Sequence, residues 1–105
     1  MGGGTNTGAE EYTIIFSAGE EPHRVVIVGQ AYQEPANQIA HLEEYFVFRR
    51  GSYEHFNEPR TFHVPSYSMW TSDLLEQKLK EIRFSEEEIL DAILKISLEF
   101  GLQVR

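Results

Sequence analysis

The stretch from Phe84 to Leu102 carries helix start and stop signals around an apolar stripe, and this limits what the rest of the chain can build. Ser85 is spaced to act as an N-cap, and Glu88 completes a Ser-x-x-Glu capping box in which each side chain satisfies the other residue's free N–H. Phe84 and Ile89 flank that cap at the spacing of a hydrophobic staple. Glu86, Glu87 and Glu88 stand where the positive end of a helix dipole favours them, and Gly101 stands where a left-handed residue would close the helix. Ile89, Ile93, Ile96 and Phe100 recur at helical spacing, with Leu90, Leu94 and Leu98 widening the stripe. A helix with so broad an apolar face needs a broad apolar surface to lie on, and the rest of the chain should supply it.

A chain of 105 residues suffices for one domain and is short for two. Residues 11–105 are therefore read as a single domain. Residues 1–10, rich in glycine and poor in apolar side chains, are expected to be a flexible tail that cannot repay its ordering entropy. The glycines there are not a phosphate loop, because no Lys-Ser or Lys-Thr follows them.

Two β-rich runs come next, Tyr12 to Phe16 and Arg24 to Val28, separated by turn residues that include Gly19 and Pro22. The unbroken apolar run Val25 to Val28 suits a strand covered on both faces, which makes it the expected centre of the sheet. A short helix is expected between strands two and three, from Pro35 through Glu44, burying Ile39 and Leu42. Tyr45 to Arg49 and Arg60 to Val64 read as the third and fourth strands; Tyr53 to Phe56 fits either a strand extension or a loop. Ser72 is the expected cap of a helix from Asp73 to about Arg83, with Leu75, Leu79 and Ile82 as its stripe. The predicted fold is α+β: an antiparallel sheet of about four strands, covered on one face by a C-terminal helical hairpin.

Charge and composition narrow the functional classes. There are no cysteines, which removes disulfides, thiolate metal sites and cysteine nucleophiles. No apolar run approaches the roughly 20 residues of a membrane-spanning helix, so no membrane partner is expected, and a cytoplasmic location is the simplest reading. The net charge of −8 opposes general attraction to nucleic acid. Within this acidic chain, residues 45–70 are mildly basic, with Arg49, Arg50 and Arg60 against Glu54 and Glu58.

Eight of the thirteen Phe, Tyr and Trp residues fall in that same basic segment, more than strand packing alone calls for. Tyr, Trp and Arg are the side chains that anchor protein interfaces. Tyr45, Arg49, Arg50, Tyr53, Arg60, Tyr67 and Trp70 are accordingly the expected partner-binding residues of a small non-enzymatic module, a regulator, inhibitor or adaptor. Self-association as a homodimer is a variant of the same expectation. The alternative is a small enzyme or ligand-binding domain whose pocket gathers His55, Arg60 and His63. No catalytic residue, cofactor or metal is expected, since neither an HExxH sequence nor a Gly-x-Ser-x-Gly elbow occurs.

Overall fold

The computed structural model of the protein describes residues 12–19, 23–29, 38–64 and 67–101. The predicted tail and the first residues of the predicted short helix lie outside them. The described chain is α+β. Seven strands come first, β1 (Tyr12–Ser17), β2 (Arg24–Gly29), β3 (Gln38–Leu42), β4 (Tyr45–Arg49), β5 (Ser52–Phe56), β6 (Arg60–Val64) and β7 (Ser68–Met69). Two helices follow, α1 (Ser72–Glu81) and α2 (Glu86–Phe100).

Five strands form one antiparallel sheet in the order β5-β4-β1-β2-β7, and β3 and β6 form a second sheet of two. The central strand is therefore β1, not β2 as the Val25 to Val28 run suggested. β2 is second from the edge, and the short β7 pairs with only Arg24 and Val25.

Strand alternation sends adjacent side chains to opposite faces. On one face of the large sheet, Ile14, Phe16, Phe46 and Phe48 pack against Leu75, Leu79 and Ile82 of α1 and the loop after it, and against Ile89, Ala92, Ile93 and Ile96 of α2. On the other face, Ile15, Tyr45 and Val47 pack against Ala40, Leu42 and Val64 of the small sheet. The molecule thus has three layers, with the helical hairpin on one side of the large sheet and β3–β6 on the other.

The small sheet arises from one long hairpin bent back over itself. β4 and β5 join through Arg50 and Gly51, both with positive φ (36° and 92°), as a two-residue hairpin turn of the primed kind demands. Tyr45 pairs with Phe56 at the far end of this hairpin, and beyond it Leu42 pairs with Arg60. Between these two pairs, Glu43 and Glu44 on one leg face Asn57, Glu58 and Pro59 on the other. The extra residue acts as a β-bulge does, bending the ladder and restarting it one residue out of register.

This arrangement corrects the predicted short helix, because residues 38–42 form β3. The helical reading took Ile39 and Leu42 as one face. The structure instead buries Ala40 and Leu42, at a spacing of two, and leaves Ile39 exposed. The cause is tertiary: the face bearing Ile15, Tyr45 and Val47 needs an apolar cover, and β3 supplies it by pairing with β6. Tyr53 to Phe56 also resolves as strand, being most of β5.

Both helices follow their local signals. Ser85 caps α2, its hydroxyl accepting from the Glu88 N–H (3.2 Å) while the Glu88 carboxylate accepts from the Ser85 N–H (2.8 Å). Gly101 closes α2 in the left-handed conformation (φ 68°). α1 is capped by Thr71 rather than the predicted Ser72; the Thr71 hydroxyl accepts from the Leu74 N–H at 3.0 Å, and Ser72 is buried. Among the described residues, no helix is long and apolar enough to cross a membrane.

Two stability outcomes are expected. Ser85→Ala removes one half of the capping box and should cost about 1 kcal/mol in urea unfolding. Tyr45→Phe should do the reverse: the Tyr45 side chain is buried and its hydroxyl has no hydrogen-bond partner among the described residues. Deleting that hydroxyl should stabilise the fold by about 1 kcal/mol. A loss of stability in Tyr45→Phe would show that the hydroxyl is well satisfied.

Candidate functional site

The seven residues singled out from the sequence do not share one surface. Tyr45 is withdrawn from any partner contact: it is 0% exposed, stacks on Phe56 (centroids 5.1 Å apart) and meets Phe62 edge-on (5.0 Å). Its ring is core because position 45 shares a face with Val47, against the small sheet. Tyr67 and Trp70 lie beside and just after β7, at one edge of the large sheet, whereas Tyr53 lies on β5 at the other. The Arg24 guanidinium sits 4.4 Å above the Tyr67 ring. The backbone N–H of Trp70 donates to the His23 carbonyl (3.1 Å), and its ring meets Phe16 edge-on. Arg50 is exposed in the β4–β5 turn.

The structure does bring Arg49 and Arg60 together. Arg49 ends β4 and Arg60 begins β6, and with His63 they line a cavity of about 290 Å³ where the two sheets meet. Phe56 and Phe62 form its walls, and Ile15 and Val47 its floor. Among the described residues, no carboxylate lines it. Glu54 lies opposite Val47 on the same face of the sheet, but among the described residues neither arginine is within ion-pair distance of any acid. The Arg60 guanidinium lies 5.5 Å over the Phe62 ring, which holds it at the cavity. In a chain of net charge −8, this is a local inversion of sign.

His55 is elsewhere. It projects from β5 to the helix-facing side, its ring stacked on Phe46 at 4.6 Å. Its Nε2 is 3.7 Å from Glu44 and its Nδ1 3.9 Å from Glu99. The expected gathering of His55, Arg60 and His63 in one pocket is therefore absent, with His55 across the sheet from the other two. It lines a second, wider cleft of about 530 Å³ between the β4–β5 hairpin and α2.

In this second cleft the Tyr53 hydroxyl donates to the Asp91 carboxylate at 3.1 Å, and Lys95 lies 3.7 Å from the same carboxylate. Burial, aided by the hydrogen bond to Asp91 and the charge of that carboxylate, pushes Tyr53 up from an ordinary value of 10.0 to about 12. Among the described residues, no group of three or more His, Asp or Glu side chains is placed to hold a metal ion.

The sequence pattern favours the tyrosines as site residues, whereas the cavity is lined by Phe56 and Phe62. Alternation contained part of the signal, since it sets Phe62 opposite His63; what it lacked was the fold-back that turns these rings toward Arg49 and Arg60. The chain matches no known protein family, no curated protein and no solved structure.

The Tyr53–Asp91 contact sets an alkaline limit. A phenol whose folded-state pKa lies above its unfolded value adds stability that is full below the unfolded pKa and is lost as pH rises through the folded one. Wild type should therefore lose stability relative to Tyr53→Phe between pH 10 and pH 12, as read by urea unfolding. Ultraviolet titration of Asp91→Asn should show Tyr53 ionising at lower pH than in wild type, though still late, because burial persists.

Proposed function

We propose that this chain is a small, soluble, non-enzymatic protein-binding module of the cytoplasm, a regulator, inhibitor or adaptor. Its docking site is the cavity between Arg49, Arg60 and His63, and its partner presents an acidic segment there. One observation carries the reading: two guanidinium groups flank aromatic walls and, among the described residues, no carboxylate lines the space between them. Arginine binds carboxylates through paired, charge-assisted hydrogen bonds, and aromatic walls add apolar area around the charge.

The surrounding charge shapes how such a site works. The acidic body of the protein repels an acidic partner at a distance, so attraction is felt only within about a Debye length, roughly 8 Å at physiological salt. Selectivity then comes from fit in the cavity rather than from long-range steering. A catalytic reading draws no support from the geometry, because its three candidate residues lie on opposite faces of the sheet.

The test is co-purification from the native host with wild type, Arg49→Glu/Arg60→Glu and a control, Lys80→Glu on the exposed side of α1. The double variant should lose the captured partner while the control keeps it. An acidic peptide from that partner should bind the double variant about 10- to 100-fold more weakly than wild type, the range for losing charged hydrogen bonds. Recovery of the same proteins with all three forms, or of none with any, rules out this cavity as the docking site.

A further inference from the structure

Three large apolar side chains on α2 remain in water: Leu90 is 63% exposed, Leu94 54% and Leu98 81%. They fall at intervals of four, so they form a single ridge along the outward side of the helix, spanning roughly 12 Å. The sheet-facing side is already filled by Ile89, Ala92, Ile93 and Ile96. Scattered surface leucines need no explanation, but an aligned ridge on one exposed face marks an interaction site.

We propose that this ridge is the contact between two copies of the chain, with their α2 helices antiparallel across a twofold axis at Leu94. The spacing is symmetric about that residue, so the axis sets Leu90 of each copy against Leu98 of the other, as a self-complementary patch requires. Rows of side chains at intervals of four interdigitate in the commonest class of helix crossing.

Charge fixes the orientation. A parallel pair would place the triplets Glu86, Glu87 and Glu88 of the two copies side by side, at a cost in repulsion. The antiparallel pair sends them to opposite ends of the contact. Along one rim of the ridge stand Asp91 and Lys95, 3.7 Å apart within one helix. With the axis at Leu94, Lys95 of each copy comes beside Asp91 of the other, so the rim is complementary to itself. This surface lies on the helical side of the molecule, away from the Arg49–Arg60 cavity, and the two proposals stand or fall separately.

One helix ridge is smaller than the roughly 800 Å² per partner of a standard interface, so the dimer should be of moderate affinity. Sedimentation equilibrium of the full chain from about 10 µM to about 500 µM should show a monomer–dimer transition. Leu94→Glu should be monomeric throughout, and Leu94→Ala should weaken association roughly tenfold; Leu94 is exposed, and circular dichroism verifies the fold. Asp91→Lys and Lys95→Asp should each self-associate less than wild type, while an equimolar mixture of the two should form heterodimers. A wild-type chain that stays monomeric, or a dimer that survives Leu94→Glu, overturns the proposal. A mixture that associates no better than its components overturns the antiparallel arrangement.

Discussion

Ile14 and Ile15 are neighbours on β1, point to opposite faces of the sheet and are both removed from water. Phe46 and Val47 repeat the pattern on β4. A sheet in which β1 and β4 are apolar on both faces cannot leave either face wet, since each buried aliphatic or aromatic side chain contributes about 1.5 to 3 kcal/mol relative to its exposed state. Two covers are therefore required. The helical hairpin provides one, and the bent ends of the β4–β5 hairpin provide the other.

How much of this could be read in the sequence depended on whether the signal was local. The capping box of α2, its glycine stop and the core residues Ile89, Ile93 and Ile96 were all legible, because caps and helical periodicity act within a few residues. β3 was not. Its signature is Ala40 and Leu42 at a spacing of two, and alanine is too small to register as an apolar beat, whereas Ile39 and Leu42 offered a plausible helical pair. The central strand was misassigned for a similar reason. Four consecutive β-branched residues made β2 look most buried, yet position within a sheet depends on pairing partners that lie far away in sequence. On α2, the leucines read as part of the buried stripe, while the helix actually buries Ala92 and Ser97.

The candidate site shows the same division. Composition correctly marked residues 45–70 as unusual. What no linear pattern conveyed is that a segment can contribute to both sides of one sheet. His55 and His63 are close in sequence, yet the strands that carry them belong to different sheets, and their side chains end on opposite sides of the large one. Arg49 and Arg60 are separated by the whole β5 strand and still meet, because the bulge between β5 and β6 folds the chain back.

That fold-back also bears on the order in which the molecule assembles. Residues 38–64 close upon themselves through pairings that nest around a single tight turn, so each new rung adds little loop entropy to the one before. β1, by contrast, must find β4 across a wide gap in the chain, and α2 must pack on strands that lie far from it in sequence. Local pairings form fastest in polypeptides. The middle of this chain is thus the natural nucleus, a self-closing clasp onto which the N-terminal strands and the terminal helix are later recruited.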